Sequence, residues 1–185
     1  IASIGMCIGA TLGGARAMTA TSGPGMSLYS ESIGLAVMGE VPLVIVDVQR
    51  LGPATGGATT VAQGDVQLAR WGTAGGYPVI VLAPSSIAEC YSLTARAFAL
   101  AERFRSPVLL LTDKELNLTA NTVDLKDFGP PAEPPVRRGA EEGPPYRFTP
   151  EGEVPPLAMY GAGWPVRFTG STHDEKAIIT KHPAT

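Results

Sequence analysis

The run Val41-Pro42-Leu43-Val44-Ile45-Val46-Asp47-Val48 is apolar on both faces. A strand of that pattern has no side to turn to water, and such strands belong to parallel sheets covered by helices. Three further runs read as strands: 16–21, Val79-Ile80-Val81-Leu82-Ala83, and 107–112 with its core Val108-Leu109-Leu110-Leu111. Helical patterns alternate with them at 1–15, 26–38, 63–71 and beyond Ser85-Ser86 as far as Phe104. In the last of these Ile87, Cys90, Tyr91, Thr94, Ala97, Phe98 and Ala101 recur close to a 3.6-residue period. The alternation predicts an α/β fold, a doubly wound parallel sheet with helices on both faces and right-handed crossovers.

Charge is scarce where such a sheet would normally meet water. Charged residues are 17% of the chain and hydrophobic ones 44%, against about 25% charged in typical soluble domains. Between Ile1 and Glu40 the charged side chains are Arg16, Glu31 and Glu40. A helix pair that poor in charge is expected at a subunit interface. Helix 1–15, apolar nearly all round, is expected to be buried. The net charge of −3 gives no basic face for nucleic acid. The longest apolar runs fall far below the ~18–20 residues of a membrane span, so neither a nucleic-acid nor a membrane partner is expected. Cys7 and Cys90 have neither metal nor redox spacing and read as reduced, buried thiols of a cytoplasmic protein. The sequence opens inside a helical pattern and reads as N-terminally truncated. Composition divides it into a folded domain at 1–127, a linker at 128–158 carrying nine prolines, and the start of a following segment or tail at 159–185. Prolines at that density cannot join sheet ladders, so the linker is expected to be an extended strap, wrapped on a partner or partly disordered.

Two motifs carry chemistry. Ser22-Gly23-Pro24-Gly25 joins a strand to a helix, where backbone amides at the helix start favour an anion. It lacks the lysine of a phosphate loop and the third glycine of a dinucleotide fingerprint, so nucleotide binding is not expected. Val46-Asp47-Val48-Gln49-Arg50 ends a strand on a cation at the sheet's carboxyl edge, where ligands bind in open α/β sheets. A guanidinium there can hold a carboxylate through two parallel hydrogen bonds, or it can serve a structural ion pair with Asp65 or Glu40. The following loop offers the hydroxyls of Thr55, Thr59 and Thr60 among glycines that permit close approach. His173 and His182 lie in the tail without a second ligand at useful spacing, and no metal site is expected on this chain.

The blocks Ala20-Thr21-Ser22-Gly23-Pro24-Gly25-Met26-Ser27-Leu28 and Val46-Asp47-Val48-Gln49-Arg50-Leu51-Gly52-Pro53-Ala54-Thr55-Gly56 resemble the α subunit of 2-oxoacid:ferredoxin oxidoreductases of the 2-oxoglutarate synthase type. So do Gln63-Gly64-Asp65, Leu111-Thr112-Asp113-Lys114-Glu115 and Thr169-Gly170-Ser171-Thr172-His173-Asp174-Glu175. The resemblance implies a pyrimidine-type thiamine diphosphate-binding domain. It also implies oxidative decarboxylation of a 2-oxoacid to acyl-coenzyme A and carbon dioxide, with electrons passed to ferredoxin. The cofactor would be shared with a β subunit, on which Mg2+ and a [4Fe-4S] cluster are expected. Arg50 then matches the catalytic, carboxylate-holding arginine, Thr55 joins it in substrate binding, and Ser22, Gly23, Pro24 and Gly25 lie by the cofactor. The activating glutamate of the family would fall just before Ile1. Ala54, Ala58 and Ala74-Gly75-Gly76 depart from the family's usual serine, proline and His-Gly-Glu. They leave open a non-redox thiamine diphosphate decarboxylase or synthase subunit, and a non-catalytic assembly or regulatory subunit.

Overall fold

Four short strands, β1 (Met18–Thr21), β2 (Val44–Gln49), β3 (Ile80–Leu82) and β4 (Val108–Asp113), pair in parallel in the order β1-β2-β4-β3. In the computed structural model, which describes residues 1–130, 133, 141–149 and 153–182, helices α1 (Ala2–Leu12), α2 (Pro24–Met38), α3 (Asp65–Trp71), α4 (Ile87–Phe104) and α5 (Lys114–Leu118) connect and cover them. The architecture is the α/β arrangement the alternation of runs predicts.

The two-residue period of a strand sorts the core onto two faces. Leu43, Ile45, Leu109 and Leu111 meet Ile4, Ile8, Met26, Ile33 and Ala69 of α1, α2 and α3. Val44 and Val108 face the other way, onto Ala97 and Ala101 of α4. By the same alternation Asp47 and Gln49 point to the first face, although they are polar. This is where the apolar pattern of β2 gives way to chemistry.

Helix α4 is fixed at its start by a reciprocal cap. The Ser86 hydroxyl accepts from the Glu89 amide at 3.2 Å, and the Glu89 carboxylate accepts from the Ser85 amide at 2.6 Å and hydroxyl at 2.7 Å. Helix α1 differs from the buried helix its composition predicts. Ile4, Ile8, Thr11 and Leu12 are buried, but Met6 is 67% exposed, and Leu28 on the neighbouring α2 is 56% exposed. One side of α1 packs on the sheet while the other carries apolar and small residues outward. Cys7 and Cys90 are free and half-buried rather than buried, and burial raises both thiols above their ordinary pKa.

The tail is built into the domain. Tyr146, Leu157, Ala158 and Ala177 are buried, the Tyr160 amide donates to the Leu12 carbonyl at 2.8 Å, and Phe168 packs on the core of α1 and α2. In its described parts the strap wraps its own domain; residues 131, 132, 134–140, 150–152 and 183–185 lie outside the described residues. Proline-rich segments can do this because they need no ladder partner, only carbonyls that a donor can reach. Arg105 supplies that donor. Its Nη1 and Nη2 donate to the Pro155 and Pro145 carbonyls at 3.3 and 3.1 Å, while Nε pairs with Glu40 at 3.2 Å.

Candidate active site

The site assembles at the carboxyl edge of the sheet. β1 ends at Thr21 and runs through Ser22-Gly23 into α2, whose first residue, Pro24, needs no amide partner. The two glycines of this turn are required for different reasons. Gly23 has φ +49, and a Cβ there would stand 2.6 Å from Arg50 Nε. A Cβ at Gly25 would overlap the Thr21 hydroxyl. The turn thus lets the Arg50 side chain lie directly against its backbone.

Arg50, one residue beyond β2, lines a cavity of about 590 Å³ together with Thr21, Ser22, Gln49, Thr59, Lys114 and Asn117, over apolar patches from Ala20, Val48 and Leu118. That volume lies in the ~300–1,000 Å³ range of small-molecule sites, and the set holds two cations and no carboxylate. Among the described residues, Arg50 has neither an ion pair nor a hydrogen bond to its buried Nε. The two structural partners open to it on the sequence are both committed elsewhere. Asp65 accepts from the Arg50 backbone amide at 3.4 Å, and Glu40 pairs with Arg105. The guanidinium is therefore held in place by backbone and left without a counter-ion.

The expected site residues distribute unevenly. Ser22 and Arg50 face the large cavity. Gly23 and Pro24 line a second one of about 380 Å³, with Ala54 and Asp65, and Gly25 sits under the first turn of α2. Thr55 is exposed and does not line the large cavity; Thr59 does. The loop folds back on itself, the Leu51 amide donating to the Thr60 carbonyl at 2.8 Å and the Gly57 amide to the Leu51 carbonyl at 3.0 Å. Both threonines are exposed, and of the two only Thr59 lines the cavity. Thr59 adopts φ +66, a costly conformation for a β-branched residue.

Three residues at the site are not among those the sequence marks as site residues: Lys114, Asn117 and Asp47. Lys114 and Asn117 come from α5, a helix of five residues that no periodicity could reveal. Asp47 is fully buried beside the turn, and neither oxygen reaches a full hydrogen-bond geometry. Loss of water and then the nearby Asp65 carboxylate push its pKa up to about 7, the Gly23 amide offsetting part of the rise. Among the described residues no three His, Cys, Asp or Glu side chains cluster as a metal site would need. A larger cleft of about 780 Å³ is formed wholly by the tail, between Gly143-Pro144-Pro145 and Tyr160 to Ile178. It shares no residue with the sheet edge.

Known proteins resemble this chain along most of its length. Residues 1–182 match the family described as pyruvate flavodoxin/ferredoxin oxidoreductase, thiamine diphosphate-binding. The chain is 42% identical to the 2-oxoglutarate synthase subunit KorA of Methanocaldococcus jannaschii, over 100% of its own length and 50% of the relative's. It is 44% identical to the same subunit of Methanothermobacter thermautotrophicus, over 95% and 46%. A solved structure, the 2-oxoglutarate:ferredoxin oxidoreductase from Magnetococcus marinus with 2-oxoglutarate, coenzyme A and succinyl-CoA bound, superimposes with a TM-score of 0.85 at 36% identity. That match covers 100% of this chain and 32% of that one. The chain thus spans about half the length of the curated relatives it matches, and it belongs to the pyruvate flavodoxin/ferredoxin oxidoreductase, thiamine diphosphate-binding family.

Proposed function

We propose that this chain is the substrate-side domain of the α subunit of a 2-oxoacid:ferredoxin oxidoreductase, and that Arg50 holds the carboxylate of the 2-oxoacid. The observation that carries the reading is the unpaired guanidinium: Arg50 lines the cavity, and its buried Nε has no partner among the described residues. Leaving a buried donor unsatisfied costs ~1–3 kcal/mol, a cost that a bound carboxylate would remove. The hydroxyl of Thr59, facing the same cavity, takes the supporting role that Thr55 had on sequence.

The residues fit thiamine diphosphate on its pyrimidine side. The Ser22–Gly25 turn and Gln49 offer uncharged hydrogen-bonding groups beside Ala20 and Val48, as a flat, neutral heterocycle requires. When bound, that cofactor supplies the carbanion chemistry that releases carbon dioxide from a 2-oxoacid. This chain's own contribution is to orient the substrate by its carboxylate. Magnesium and the iron–sulfur cluster belong to the partner β subunit, with ferredoxin as electron acceptor and coenzyme A as acyl acceptor. The outward apolar side of α1 and Leu28 of α2 form the face toward a neighbouring subunit.

The test is an anaerobic purification of the full-length protein with whatever binds it, assayed for coenzyme A-dependent reduction of a viologen dye by 2-oxoacids. Dye reduction is expected. Arg50→Met should then raise the KM for the 2-oxoacid by roughly 10–100-fold, the loss of one charge-assisted contact, and leave thiamine diphosphate binding nearly unchanged. Bound cofactor without dye reduction would point to a non-redox enzyme, and a complex with neither would point to the assembly subunit.

A further inference from the structure

The cavity holds a second cation, and its position follows from the strand register. Gln49 of β2 pairs with Asp113 of β4, so the next residues, Arg50 and Lys114, leave the sheet side by side. Adjacent strands lie ~4.8 Å apart, and both side chains line the 590 Å³ cavity. Asn117 lines the same cavity with its amide nitrogen free to donate, because its carboxamide oxygen already accepts from the Thr112 hydroxyl at 3.4 Å. Asp113, the nearest acid on β4, is turned away to cap the Leu116 amide at 2.9 Å. The Lys114 ammonium does lie 3.8 Å from Glu115, but those side chains are 40% and 70% exposed. A pair that wet holds its lysine only weakly.

Two cations in one cavity that offers no carboxylate are one more than a monocarboxylate needs. We infer that Lys114 is a specificity residue that takes the distal carboxylate of a dicarboxylic 2-oxoacid, with Arg50 on the carboxylate next to the keto group. The inference rests on the reading of Arg50 given above. In 2-oxoglutarate the two carboxyl carbons are four carbon–carbon bonds apart, on the order of 5 Å from bond lengths of 1.52 Å. That length is on the scale of the ~4.8 Å spacing of adjacent strands, so one ligand in the cavity can reach both side chains. A 2-oxoacid with an alkyl end would leave the Lys114 ammonium facing a methyl group, and desolvating it there is unfavourable.

Calorimetric binding of glutarate and of pentanoate to the full-length protein, purified with its partner, separates the two cations without requiring turnover. Wild type should bind glutarate more tightly. Lys114→Met should weaken glutarate by roughly 10–100-fold and leave pentanoate within about twofold, and Lys114→Arg should restore most of the glutarate affinity. Arg50→Met should weaken both ligands. Turnover of 2-oxoglutarate against 2-oxopentanoate should show the same split in KM. Equal effects of Lys114→Met on both ligands, or no effect on either, would overturn the inference. Pentanoate binding that survives Arg50→Met would instead sink the reading of Arg50, a result Lys114→Met alone cannot produce.

Discussion

Arg105 and Arg50 are the same residue type at opposite ends of one sheet, with opposite surroundings. At the amino end Arg105 is 4% exposed and spends its guanidinium inside the molecule, on Glu40 and on two proline carbonyls of the tail, with the Tyr146 ring 5.7 Å away. At the carboxyl end Arg50 is half-buried; its enclosed Nε lacks a hydrogen bond, as that of Arg105 does, but unlike Arg105 it has neither an ion pair nor a carbonyl partner among the described residues. A structural arginine uses its donors locally; an arginine kept for a ligand has them positioned and idle. The tail's end of the sheet is closed chemically, and the cavity's end is open.

The contrast breaks first on stability. Arg105→Met should destabilise the full-length protein by about 3 kcal/mol, at the lower end of the ~3–5 kcal/mol seen when one partner of a buried ion pair is removed. Glu40, 37% exposed, can recover water. The loss should appear as a lower Tm. Arg50→Met should cost no stability and should raise it by up to ~1–3 kcal/mol in the ligand-free protein, because it removes a buried donor that has no partner among the described residues. Thermal unfolding of the two variants side by side decides the matter. Equal losses would mean that Arg50 has a structural partner and is no ligand group.

The open end also carries a buried acid, and pH tests that. Asp47 has its pKa raised from 3.8 to about 7, by burial first and by Asp65 second. A raised pKa means the folded protein keeps a proton that the unfolded chain has already lost. The penalty is absent below pH 4, grows as pH rises toward 7, and levels off above. Asp47→Asn should therefore stabilise the protein by about 2 kcal/mol at pH 8, within the ~1.36 kcal/mol per pKa unit that linkage allows, and by little at pH 4. The two stability curves should converge at acid pH. A constant gap between them would assign the pH dependence to another group.

How much of this was written in the sequence depended on whether a residue's role was local. The parallel sheet was legible because Val44 to Val46 and Val108 to Leu111 can be buried only one way. The start of α4 was legible because Ser85-Ser86 stand directly before its apolar period, while the part of Glu89 in the cap was not read. Arg50 was legible as a site residue because a cation closing an apolar strand is anomalous. Lys114 was not, since its place beside Arg50 comes from the pairing of β2 with β4 across 64 residues of chain (114 − 50). Thr59 and Thr55 could not be told apart, because the backbone closure between Leu51 and Thr60 decides which of them lines the cavity. The docking of the tail's described parts was not legible for a related reason. Proline content says what a segment cannot pair with, but not that Arg105 gathers the Pro145 and Pro155 carbonyls onto the domain.

The smallest expected effect sharpens the comparison most finely, because both ends contain a non-glycine residue in the left-handed region. Arg105 sits at φ +46 at the end of α4, and Thr59 at φ +66 in the cavity loop. At Arg105 the strain is offset by the contacts its side chain makes. Thr59 has no such bond among the described residues, so its strain persists until something fills the cavity. Glycine relieves the strain at either position and deletes the side chain with it. Thr59→Gly should therefore stabilise the full-length protein by about 0.5–1 kcal/mol, somewhat less than the ~1–3 kcal/mol of strain because glycine gains freedom in the unfolded chain. It should at the same time raise the KM for the 2-oxoacid several-fold, as one neutral hydrogen bond of ~0.5–1.5 kcal/mol is lost. Arg105→Gly should destabilise strongly despite the same backbone relief. If both glycine variants were destabilised, Thr59 would be held by the fold after all, and the two ends of the sheet would differ less than their arginines indicate.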